Sequence, residues 1–189
     1  MLALIVTLAI IIIVGAYAVT LYNGLVALKH AIARYLSNID IVLKQRHDEL
    51  PKLVETCKQY MEYEQETLES IITARSMVAQ ASSDGNIKAL GEAETHLRAG
   101  LGQIFALAEN YPELKADQSF HSLQQRISGL ENSIADRREV YNEAVNNNNV
   151  RIEQFPDLIV AQLFAFKAHE LLQFSDEDTR DVNISQLFN

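Results

Sequence analysis

The sequence predicts an all-α protein, with an N-terminal transmembrane helix continuing into an elongated antiparallel bundle of about four long helices. Three observations predict this. No Asp, Glu, Lys, Arg or His occurs before Lys29, although the 189-residue chain is 22% charged overall. Four later stretches carry apolar residues at alternating spacings of three and four, the mark of a helical seam. No window shows a convincing period of two, so no sheet is expected.

Composition narrows the function classes. An apolar content of 48%, with 3 Pro and 7 Gly, excludes a wholly disordered, collagen-like or low-complexity chain. Cys57 is the single cysteine, which excludes an internal disulfide framework and a Cys-based zinc finger. An unpaired thiol suits a reducing compartment. The net charge is −9, from 16 basic and 25 acidic residues. A nucleic-acid surface needs a basic stripe, so no nucleic-acid partner is expected.

Residues 1–28 form the expected membrane anchor. Its dense apolar part runs from Leu2 to Leu21, with Thr7, Gly15 and Thr20 as weak interruptions. A helix crosses a hydrocarbon core of about 30 Å in roughly 20 residues. It satisfies its own backbone polar groups, as lipid requires. Tyr17 and Tyr22 suit the interface, where a ring can be half wet. Two blander readings compete. A buried core helix would need a soluble protein of this size to hide an all-round apolar segment. A cleaved signal peptide would use Ala16-Tyr17-Ala18, but the basic n-region is missing and the apolar run exceeds the usual span of about 7–15 residues. A retained anchor is therefore expected. Lys29, Arg34, Lys44 and Arg46 follow it against Asp40. The positive-inside rule then puts the bundle in the cytoplasm.

Residues 29–156 are the expected bundle. Its first seam continues from the anchor through Leu25, Leu28, Ile32, Ile39 and Leu43. The second runs from Leu50 through Leu53, Cys57, Leu68 and Ile71 to Val78, a helix of about 30 residues and about 45 Å. Asp48 and Pro51 would cap its start. The turn cluster Ser82 to Asn86 separates it from a third seam, Leu90 to Tyr111. A break at Asn110-Tyr111-Pro112 precedes the fourth seam, Phe120 to Val145, with Asp117 as its cap. Asn146 to Asn149 weakens that helix, and Phe155-Pro156-Asp157 ends it. Short breaks between long helices favour antiparallel neighbours. Residues 157–174 read as an apolar C-terminal helix, suited to its own bundle, to a subunit contact or to the membrane interface. Residues 175–189 read as an acidic tail, with Asp176, Glu177, Asp178 and Asp181.

Several short patterns carry a family resemblance. They are Tyr22-Asn23-x-Leu25-Val26, Ile39-Asp40-x-x-Leu43-Lys44-x-Arg46 and Asp48-x-Leu50-Pro51-x-Leu53-Val54-Glu55-Thr56-x-Lys58-x-Tyr60. Further on come Ala108-Glu109-x-Tyr111-Pro112-x-Leu114-Lys115-Ala116 and Phe120-x-x-Leu123-Gln124. Last are Glu131-Asn132-x-Ile134-Ala135, Arg137-Arg138-x-x-Tyr141-Asn142-x-x-Val145 and Phe155-Pro156. In this order the chain resembles the LemA family of bacterial membrane-anchored proteins. The resemblance implies a membrane anchor followed by an antiparallel bundle, and no settled biochemical activity. Three features depart from the family pattern. Tyr35-Leu36-Ser37 stands where an Ala-Trp-Ser is usual, Asn147-Asn148 where a second Tyr-Asn is usual, and the segment after Pro156 is more apolar. Family members differ in which side of the membrane holds the bundle, so the resemblance leaves both open.

Chemistry is sparse. There is no G-x-S-x-G, P-loop, H-E-x-x-H or G-x-G-x-x-G pattern. The five histidines, at positions 30, 47, 96, 121 and 169, are scattered. Glu92 and His96 could share a helix face, but a solvent-facing pair is the simpler reading. Cys57 reads as a small buried hydrophobe. Glu62, Glu64, Glu66 and Glu69 read as a solvated face. Asp40, Arg46 and Asp48 are candidates for constraint near the start of the bundle. Arg137 occupies a seam position, so either it pairs across helices with Glu109 or Asp40, or its head reaches water.

No catalytic, cofactor or metal residue is assigned, and no enzyme is expected. The leading expectation is a structural or scaffolding protein of the bacterial inner membrane. It would self-associate as a homo-oligomer through the bundle and the 157–174 segment, with lipid and other membrane proteins as partners. The alternative is a membrane-tethered sensor with a small polar cavity near Arg137, Tyr141 and Asn142.

Overall fold

A computed structural model describes residues 1–174, so the acidic tail expected at 175–189 lies outside the described residues. Among them are six helices and no strand: α1 (Leu2–Lys58), α2 (Gln65–Ser83), α3 (Ile87–Ala108), α4 (Pro112–Ala116), α5 (Gln118–Glu153) and α6 (Asp157–Leu163). The chain divides into two compact units. One comprises Met1–Asn38 and Arg137–Leu171, and the other Ile39–Asp136 with the described residues from Leu172. Residues 29–38 and 137–156, expected in the bundle, therefore group with the apolar anchor.

In the first unit, α1 is exposed on every side from its first residue to Thr20. This is the one helix among the described residues that is long and apolar enough to cross a membrane. The hydroxyls of Thr7 and Thr20 donate to the carbonyls of Ala3 and Ala16 at 2.8 and 3.1 Å, so the polar atoms of the segment bond within its own helix. Burial begins at Leu21. Leu21, Leu25, Val160 and Ala161 form a small core, with Ile152 and Phe166 packed against it. α5 runs antiparallel to α1 here: Arg137 reaches the Asn38 carbonyl, while Arg151 lies over Gly24. A Cβ at Gly24 would stand 2.5 Å from the Arg151 guanidinium, so a larger residue there would move that flexible head aside.

The helix expected over 157–174 ends at Leu163. Phe166 N–H donates to Ala161 O at 2.9 Å and Ala165 N–H to Gln162 O at 3.4 Å. That is a Schellman cap, with Ala165 at φ 54° in the position glycine usually takes. Beyond it the chain runs without regular structure, held to α5 by side chains. Asn148 donates to Lys167 O at 3.2 Å, and Tyr141 to Glu170 O at 2.9 Å. Asn149 and His169 bond reciprocally: the amide donates to His169 O and accepts from His169 N, both at 2.9 Å. The asparagine run does not interrupt α5, which continues to Glu153 and stops just before Phe155-Pro156-Asp157 as the sequence predicts, and Asn148 and Asn149 hydrogen-bond the backbone of the following segment.

The second unit is a four-helix bundle of the last part of α1 with α2, α3 and the first part of α5. Cross-helix contacts run in opposite numerical order at each junction, so neighbours are antiparallel. Asp40 meets Ser82 while His47 meets Arg75. Thr67 meets Gln103 while Ile71 meets Gly100. Phe105 meets Phe120 while Arg98 meets Glu131. Glu49 meets Arg126 while Tyr60 meets Asp117. Buried positions recur every seven residues: Ile39, Arg46 and Leu53 on α1, Leu90, Leu97 and Ile104 on α3. Each buried apolar side chain contributes about 1.5–3 kcal/mol.

The sequence places a break at Asp48–Pro51, yet α1 passes through Pro51 to Lys58, and the break falls between Lys58 and Gln65. Proline removes one N–H and would leave the His47 carbonyl without its helical donor. Arg75 Nε on α2 donates to that carbonyl at 2.9 Å. The expected Asp117 cap forms, with Phe120 N–H donating to Asp117 Oδ1 at 2.9 Å, and Asn86 of the turn cluster also caps, accepting from Ala89 N–H at 3.0 Å.

Candidate functional site

The candidate residues fall into two groups, one in each unit. In the bundle, Arg46 stands at a heptad position that would otherwise be apolar and is 1% exposed. Glu94 on α3 replaces an apolar residue in the same way and is 0% exposed. Arg46 donates through Nη2 to Glu94 and through Nη1 to Glu131 on α5. Glu131 also accepts from Arg98 Nε at 2.9 Å. Two guanidinium groups thus face two carboxylates.

Burial acts against both central charges. For Arg46 two carboxylates outweigh it, and its pKa rises. For Glu94 burial, aided by the nearby Glu131 carboxylate, outweighs the pull of Arg46 and Arg98, and its pKa also rises. Arg46 Nε and Glu94 Oε2 have no hydrogen-bond partner. Such a network costs desolvation energy and fixes which residues of α1, α3 and α5 lie level. It contains no nucleophile, and no group of three or more His, Cys, Asp or Glu among the described residues could hold a metal.

The other group lies where α1 leaves its apolar segment. A groove of about 480 Å³ is lined by Tyr22, Lys29, His30, Phe166, Lys167 and His169, among others. The Tyr22 ring packs against Phe164 and Phe166, with centroids 4.7 and 5.9 Å away. A second groove, of about 610 Å³, is lined by Gly24, His30, Arg34 and Arg151 with small residues of α1. Arg151 Nε donates to Asp157 Oδ1 at 2.6 Å.

The remaining candidates separate. Arg137 is exposed and donates to Asn38 O at 3.1 Å, so of its two readings the pair with Glu109 or Asp40 does not form and the head lies at the surface. The reason is one residue of register. The buried face of α5 runs through Ile127, Ile134, Tyr141 and Asn148, and Arg137 lies off it. Glu109 pairs with Lys115 instead, and Asp40 accepts from Ser82 at 2.9 Å. Asp48, Glu92 and His96 are exposed. Cys57 is fully buried, and burial pushes its thiol up to about 12. His30 and His169, scattered in sequence, meet at one groove. Glu94 was missed, although its signal is present: it sits four residues after Leu90 and three before Leu97, on the α3 seam.

A family model described as the LemA family matches residues 35–185, more than half of the chain. The chain is 27% identical over 167 residues to Protein LemA of Metamycoplasma hominis, covering 88% of this chain and 75% of that protein. It is 30% identical over 104 residues to magnetosome protein MamQ 2 of Paramagnetospirillum magneticum, covering 55% of this chain and 38% of that protein. It is 21% identical over 190 residues to magnetosome protein MamQ of Magnetospirillum gryphiswaldense, covering 88% of this chain and 70% of that protein. The chain thus spans well under half the length of the Paramagnetospirillum relative. The family match includes the network residues Arg46, Glu94 and Glu131, and this chain belongs to the LemA family.

Proposed function

We propose that this chain is a non-catalytic structural protein of the bacterial inner membrane, anchored by the first part of α1 and self-associating through its helical surface. One observation carries the reading: α1 runs unbroken from Leu2 to Lys58, uncharged and exposed all round at one end, and packed along a seam at the other. Lipid suits the first surface and a helical partner the second. The residues that stand out chemically, Arg46, Glu94 and Glu131, are spent on one another. Ile159 and Leu163 on α6 and Phe155 before it are exposed. Apolar side chains so placed favour contact with a second copy.

Full-length protein in detergent, weighed by mass photometry, should exceed the monomer mass. Ile159→Lys with Leu163→Lys should return it to the monomer. A wild type that is monomeric at all concentrations rules out self-association. Protease treatment of spheroplasts should leave the bundle intact if it is cytoplasmic, as the positive-inside rule requires.

A further inference from the structure

The groove beside Tyr22 changes character along both of its walls. On α1 it passes from Tyr22 and Val26 to Lys29 and His30. On the segment after α6 it passes from Phe164 and Phe166 to Lys167 and His169. The aromatic ends meet at the Tyr22 ring. Asn148 and Asn149 pin the cationic end to α5, away from the apolar segment. No carboxylate is among the groove's lining residues.

Helix geometry sets the depth. If Leu2 to Leu21 fill the hydrocarbon, Lys29 lies about 10 Å beyond Tyr22 at about 1.5 Å per residue. A lysine side chain can reach back most of that way to the phosphate layer. A free phosphate would need only the cations. The aromatic floor below them matches the glycerol and upper acyl part of an amphiphile.

We propose that this groove binds the phosphate headgroup of an anionic phospholipid, with Lys29 and Lys167 as its principal cations and Tyr22, Phe164 and Phe166 as its apolar floor. The proposal rests on the anchor reading above and goes beyond it, because an anchor alone needs no particular headgroup.

Native mass spectrometry of the full-length protein, titrated in detergent with phosphatidylglycerol or phosphatidylcholine, tests it. Each lysine near an anionic headgroup is worth about fivefold in affinity, so wild type should prefer phosphatidylglycerol by roughly 25-fold. Lys29→Glu with Lys167→Glu should bring the preference close to one. The milder Lys29→Gln with Lys167→Gln should lower it in the same direction, and circular dichroism confirms that each variant is folded. Equal retention of the two lipids by wild type, or a preference that survives in both folded variants, overturns the proposal. So does displacement of phosphatidylglycerol by an equal concentration of free glycerol phosphate, which would mark a soluble-phosphate site. Carbonate extraction of membranes reads the anchor separately. Release by carbonate with the lipid preference intact would overturn the anchor and leave the groove standing.

Discussion

The two ends of α1 have the same backbone and opposite surfaces. From Leu2 to Thr20 every side is apolar and exposed. From Ile39 to Lys58 one stripe is buried, and that stripe contains Arg46. A charge is thus absent where the helix is exposed and present where it is sealed, the reverse of a soluble protein's pattern. Solvent explains the first end, because lipid excludes unpaired charge. Partners explain the second, because Glu94 and Glu131 meet the guanidinium. Exposure alone therefore says little about what a position tolerates. What the surface faces decides.

The largest expected effect breaks the sealed end. Arg46→Met leaves Glu94 buried without its cation, and should cost about 3–5 kcal/mol in urea unfolding. Arg46→Met with Glu94→Leu should cost less than the sum of the single changes, because the pair leaves together. A smaller effect sharpens the contrast along α1. Ile12 is 62% exposed and Ile41 is 55% exposed, so exposure predicts the same outcome for lysine at either. Ile12→Lys should nevertheless cost about 2.5–3.5 kcal/mol of membrane insertion. Ile41→Lys should change stability by less than about 0.5 kcal/mol. Glycosylation-reporter insertion assays and thermal unfolding check the two.

Acid provides the next test of the bundle end. The Phe120 N–H and the Tyr60 hydroxyl hold the Asp117 carboxyl below its ordinary range. Arg126 and Lys52, set against partial burial, do the same for Glu49. A carboxyl lowered in the folded state stabilises it above the unfolded pKa, and that stability is lost as pH falls through the folded value. The unfolding midpoint should therefore drop below the usual carboxylate range, and drop less in Asp117→Ala. The smallest effect belongs to Arg137→Leu. Its exposed head donates to a backbone carbonyl, Asn38 O, so stability should move by less than about 0.5 kcal/mol.

Local chemistry was legible in the sequence and long-range rescue was not. The uncharged stretch, the seams and the Asn86 turn and Asp117 cap can be read because each depends on residues within a few positions. Pro51 reads as a helix start because nothing nearby shows that Arg75 will supply the missing donor. Asn148 and Asn149 read as helix weakeners because their acceptors lie about twenty residues on. Arg46 and Arg137 both lie near seam positions. Which one is buried depends on Glu94 and Glu131, 48 and 85 residues away from Arg46. The apolar run 157–174 reads as a helix because αL alanine at its middle is improbable from composition alone.

One helix carries the chain from an all-apolar surface into a packed seam without a break. Spin labels placed singly from Ala18 to Lys44 of the full-length protein in vesicles read that continuity residue by residue. Oxygen and water accessibilities should pass from lipid to a continuous 3.6-residue period, with no interruption between Tyr22 and His30. A run of uniformly mobile, water-accessible labels in that window would show a break instead.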